Sequence, residues 1–167
     1  MTPKITNGNS MEQTPERQLA GFIEKFSPEM ASLIRAARKK MRTKFPGAVE
    51  LVYDNYNFFV IGYGPNDKAG AAIFSLAAQA KGLSLCFLQG AGLPDPSHLL
   101  SGNGKQVRNI RLESAATLDK PEVVALMDVA LQHAKAPIPQ DGRHILIIKS
   151  ISTKQRPRQI ALATKKK

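Results

Sequence analysis

The chain has 167 residues, 43% of them hydrophobic, and carries 24 lysines and arginines against 13 acids for a net charge of +11. That length suits one domain with ordinary extensions, and the apolar share supports a core, which excludes disorder of the whole chain. No apolar run approaches the roughly 18 residues of a membrane span, and the polar start Met1–Gln13 has no signal-peptide core. The single Cys86 excludes an internal disulfide, so a cytoplasmic setting is expected.

Residues 1–13 show no periodicity and read as a disordered leader. Thr14-Pro15-Glu16 is a helix start, with a capping hydroxyl, proline at the first helical position and an acid in the first turn. Leu19, Phe22, Ile23 and Phe26 follow at helical spacing, which predicts a short helix over 15–25. Ser27-Pro28-Glu29 repeats the signal. Met30, Leu33, Ile34, Ala37 and Met41 then make one apolar stripe, and Arg35, Arg38, Lys39 and Arg42 lie on the opposite side. Pro46-Gly47 ends this second helix near Phe45.

Four β-favouring segments come next, at 49–54, 57–63, 71–78 and 83–89. Their short connections predict antiparallel pairing in a meander. In 49–54, Val49, Leu51 and Tyr53 alternate with Glu50, Val52 and Asp54. The loop 90–96 holds two glycines and two prolines, 101–104 is a turn, and 105–112 reads as a fifth strand. Asp119-Lys120-Pro121-Glu122 starts a last helix, whose stripe is Val123, Leu126, Met127, Ala130, Leu131 and Ala134. Residues 136–142 break it. Ile145–Ile148 reads as an additional edge strand, and 151–167 as a flexible basic tail. The expected fold is therefore α+β: one domain over 14–150, with an antiparallel sheet of five or six strands covered by N-terminal and C-terminal helices.

Charge is the main functional signal. Residues 28–44 hold six cations against Glu29, and 149–167 hold seven cations with no acid, while the remainder is close to neutral. An anionic partner, either nucleic acid or an anionic small molecule, would meet the protein there. The candidate anion-binding residues are Arg35, Arg38, Lys39 and Arg42 on the helix, Lys105, Arg108 and Arg111 on the fifth strand, and Lys154, Arg156 and Arg158 in the tail. The tail has no interleaved aromatic residue, which fits phosphate contact rather than base stacking. Solvation of a polar helix face and a solubility tail are the competing readings of the same cations.

Other motifs are weaker. Gly104-Lys105 is no phosphate loop, because Leu99 stands where its first glycine belongs and Gln106 follows the lysine. His98, His133 and His144 are far apart in sequence and share no ligand spacing with Cys86 or a carboxylate, so neither metal nor cofactor is expected. Cys86 reads as a packed thiol. Glu50 and Asp54 share one side of a strand about 13 Å apart, too far to share a proton, and read as edge-strand polar groups. With Tyr53 and Tyr56 they suggest a small-molecule cleft, and a second such site is conceivable beside the 90–108 loop. No nucleophile or base presents itself, so binding rather than catalysis is the expectation.

Phe45-Pro46-Gly47-Ala48-Val49-Glu50, Tyr53-Asp54-Asn55-Tyr56, Phe87-Leu88-Gln89-Gly90-Ala91, Leu93-Pro94-Asp95-Pro96 and the stretch from Gly104 to Leu112 together resemble the YdhG-like family of domains of unknown function. The resemblance covers about residues 30–134. It implies a helix–sheet–helix fold and no settled activity. One branch of that family is linked to a frataxin-like intracellular iron-chaperone role, and no iron-site residue is carried over to this sequence.

Overall fold

The structure is a computed structural model and describes residues 14–160. Its first helix, α1 (Pro15–Glu24), is capped by Thr14, whose hydroxyl accepts from the Arg17 amide. The second, α2 (Pro28–Lys44), is capped by Ser27, which accepts from the Met30 amide. Each cap contributes about 1 kcal/mol by satisfying an amide that the helix leaves orphaned. Proline stands at the first turn of both, where the missing N–H costs nothing. The strands are β1 (Val49–Asp54), β2 (Phe59–Gly64), β3 (Phe74–Gln79), β4 (Gly82–Phe87) and β5 (Arg108–Leu112), followed by α3 (Pro121–His133) and β6 (Ile145–Ile151).

The α+β expectation holds. The sheet order is β5-β4-β3-β2-β1-β6, with antiparallel neighbours from β5 to β1. The edge strand β6 is longer than expected and lies parallel to β1, with a register irregularity between Val52 and Tyr53. A parallel neighbour needs a long crossover, and here the rest of the sheet and α3 supply it. The third strand starts later than expected, because Ala69–Ala71 forms a 3₁₀ turn. Gly64 lets that segment approach: a Cβ there would stand 2.8 Å from the Ala72 Cα.

The helices cover the sheet face that carries Glu50, Val52 and Asp54 of β1, Phe59, Ile61 and Tyr63 of β2, Phe74 and Leu76 of β3, and Leu85 and Phe87 of β4. Aromatic packing ties the layers together: Phe22 and Phe26 meet Phe59, and Phe45 stacks on Phe74 at 5.3 Å. Each fully buried phenylalanine contributes roughly 1.5–3 kcal/mol. None of the described helices is long and apolar enough to cross a membrane.

Residues 152–160 correct the expectation of a flexible tail from 151 onward. They fold back onto α1 and the β1–β2 turn: Ser152 donates its amide to the Asp54 carbonyl, Arg156 donates its amide to the Tyr56 carbonyl, and Gln159 reaches the Lys25 carbonyl. The remainder of the expected tail and the expected leader lie outside the described residues.

Candidate functional site

The helix-facing side of β1 carries two carboxylates into the interior. Glu50 is 1% exposed and Asp54 0%. This overturns the edge-strand reading: β1 runs between β2 and β6, so both of its edges are paired, and the helices cover the face that carries the two carboxylates. A buried carboxylate persists only with compensating donors, and each has its own set.

Asp54 accepts from Lys25 Nζ at 2.8 Å and from Arg158 Nη2 at 2.8 Å. Arg158 is 5% exposed, also donates to the Asn55 carbonyl, and sits over the Phe26 ring. Burial pushes the Asp54 carboxyl up, but the bonds from Lys25, Arg158 and Gln155 outweigh it and hold the group below its ordinary value. Arg158 is therefore a structural lock, not the free tail cation expected. Its partner is 104 residues away in sequence.

Glu50 accepts from Arg38 through Nε at 3.0 Å and Nη2 at 2.8 Å, from the Tyr63 hydroxyl at 2.9 Å, and from His144 Nε2 at 2.5 Å. Burial again pushes the carboxyl up, and Arg38, His144 and Tyr63 together bring it below its ordinary value. Tyr63 moves the other way: burial and then the Glu50 charge hold its phenol well above the usual range. Arg38 also forks onto Glu16 of α1. With four of its N–H groups directed at two carboxylates, Arg38 ties α1, α2 and β1 together, so its guanidinium is committed to those carboxylates rather than free as the helix pattern suggested. The carboxylate at Nε2 fixes that nitrogen of His144 as the donor and turns Nδ1 toward Glu16, 3.9 Å away.

Above this buried network lies a cleft of about 600 Å³. One wall is the α2 stripe Arg35, Lys39 and Arg42, the floor is Tyr63 and Glu50, and the far wall is Gly142 and His144. The i, i+4, i+7 spacing sets the three cations in a row. Arg35, Lys39 and Arg42 are exposed and make no ion pair or side-chain hydrogen bond among the described residues. Gly47 helps to place the far wall, because its missing Cβ leaves room for the Pro139 and Asp141 carbonyls of the 136–144 connection.

The remaining expected residues do not converge. Arg108 donates to the Gly104 and Val107 carbonyls of its own loop, and Arg111 to the Lys81 carbonyl, while Lys105 is exposed. Lys154 is exposed, and Arg156 donates to the Asn57 side chain beside the Tyr56 ring. The proposed Tyr53–Asp54–Tyr56 cleft is not formed. Alternation puts Tyr53 on the sheet face opposite Asp54, Tyr56 is 50% exposed in the turn, and Asp54 is committed to Lys25 and Arg158. Lys25, Tyr63 and His144 were invisible as site residues, because nothing local in sequence joins them to β1. No group of three or more His, Cys, Asp or Glu side chains could hold a metal ion among the described residues. Cys86 is packed in β4 as expected, and His133 is exposed.

Comparison with protein-family models, characterised proteins and solved structures found no match.

Proposed function

We propose that this chain is a YdhG-like binding module that takes an anionic small molecule in the cleft between α2, β1 and the 136–144 connection. The observation that carries the reading is the row Arg35, Lys39 and Arg42, three cations without a partner among the described residues on the wall of a concave site of about 600 Å³. That volume lies within the range of small-molecule sites, and a recessed row of cations suits a compact anion better than a duplex, whose phosphates need a protruding surface. Arg38 bridges Glu16 and Glu50 and offsets one of their two negative charges, so the three cations of the row still leave this wall positive. The iron-chaperone role gains no support from this helix: iron favours carboxylate oxygens, and the exposed side of α2 presents cations.

The test is calorimetric titration with pyrophosphate and citrate across a salt series, with a short duplex DNA in parallel. Saturable binding of one of the small anions is expected, weakened about tenfold or more by Arg35→Glu or Arg42→Glu. If neither anion saturates at millimolar concentration, or if the α2 variants bind as the parent does, the reading fails. Duplex binding that survives both variants would move the partner to the other cations.

A further inference from the structure

We propose a second ligand site, for a small amphipathic anion, in the cleft between the end of α3, the Lys68–Ile73 segment and the loop after β4. This cleft has a volume of about 790 Å³ and shares no lining residue with the α2 cleft. It is graded from floor to mouth. Ile73, Phe87 and Ala130 are buried at its base, and Leu93 and Ala134 form half-buried walls. Gln89, Gln106, His133, Lys68 and Lys135 are exposed around the rim.

Three features select the ligand. The apolar floor and walls favour a hydrocarbon or aromatic body, since water held against such surfaces is released on binding. The rim carries Lys68 and Lys135 from two different segments, and no carboxylate lines the cleft. Neither lysine forms an ion pair among the described residues. A cation just past a helix C-terminus also complements the helix dipole, which accounts for Lys135 after α3. It does not account for Lys68, which reaches the same rim from the segment before β3. The two rim glutamines add neutral donors that can orient a carboxylate or sulfonate head. A monocarboxylate with an apolar tail or ring satisfies all three features, whereas a fully polar anion would leave the floor unfilled. The sequence pointed to this neighbourhood through the 90–108 loop, but Lys105 and Arg108 are not among the residues lining it.

Calorimetric titration of the full chain with octanoate, 1-octanol and octylamine, read alongside methyl NMR of Ile73 and Leu93, tests this site. Octanoate should saturate one site and shift both methyl signals, with octanol about tenfold weaker and octylamine weaker still. Lys68→Glu combined with Lys135→Glu should weaken octanoate about tenfold or more. Ala134→Trp should abolish binding by filling the cleft, and Glu122→Gln, at the other end of α3, should leave it unchanged. Equal affinity for the three probes, an unchanged double variant, or octanoate binding without methyl shifts would overturn the proposal. The methyl shifts decide the question even if the Ala134→Trp protein does not fold.

Discussion

Removing the Arg38 guanidinium tests whether the Glu50 network holds the helices to the sheet. Arg38→Met keeps the aliphatic stem packed and deletes the charge, leaving Glu50, at 1% exposure, with only Tyr63 and His144 as partners. Breaking a buried pair by removing one member costs about 3–5 kcal/mol. The two surviving hydrogen bonds place the expected loss near the lower end, about 3 kcal/mol, equivalent to roughly 6–12 °C in Tm for a chain of this size. The pH dependence gives a sharper reading. In the parent, Glu50 titrates below its ordinary value, so its contribution is present above the unfolded pKa and is lost as pH falls through the folded one. In the variant, burial without Arg38 raises the carboxyl, which then takes a proton on folding at mildly acidic pH. The destabilisation should therefore be largest near about pH 7 and shrink toward about pH 4. Adding Glu50→Gln to the variant should recover much of the loss near neutrality, since no unpaired charge remains. Urea unfolding of the parent, the single variant and the double variant across that range is the assay. A loss below about 1 kcal/mol, or one that does not change with pH, would refute the reasoning.

Arg158→Ala leaves Asp54 with Lys25 as its only cation among the described residues and should cost about 3 kcal/mol, with new tryptic cleavage after Lys154 as the 152–160 segment comes loose; unchanged proteolysis would count against the lock. Gly64→Ala sets a Cβ against the Ala72 backbone and should cost roughly 1–3 kcal/mol in chemical unfolding, whereas Gly70→Ala, with nothing nearby, should be close to neutral. Burial pushes the Cys86 thiol up, the nearby Ser75 hydroxyl offsetting this only in part, so Ellman's reagent should react with the native protein far more slowly than with the urea-unfolded chain. Equal rates in the two states would show that the thiol is accessible.

The parts of this protein that depend on near neighbours are legible in its sequence. Thr14-Pro15 and Ser27-Pro28 start helices because a hydroxyl and a proline act within one turn, and the caps are found where those residues stand. The meander from β1 to β4 follows from connections too short for anything but antiparallel neighbours. The α2 stripe Arg35, Lys39 and Arg42 is a consequence of helical periodicity alone. Which cations stay free is decided elsewhere. Arg35, Arg38, Lys39 and Arg42 look alike along the helix, and only the seating of α2 over β1 places Arg38 against Glu50 and leaves the others to the cleft. The strand pattern shows Glu50 and Asp54 on one side of β1, but their burial depends on the helices packed over that face and on β6, which arrives in parallel from the far end of the chain and makes β1 an interior strand. His144 and Arg158 meet those carboxylates across 94 and 104 residues. No local preference encodes such pairings, because they exist only once hydrophobic packing has closed the sheet and excluded water from the carboxylates it encloses.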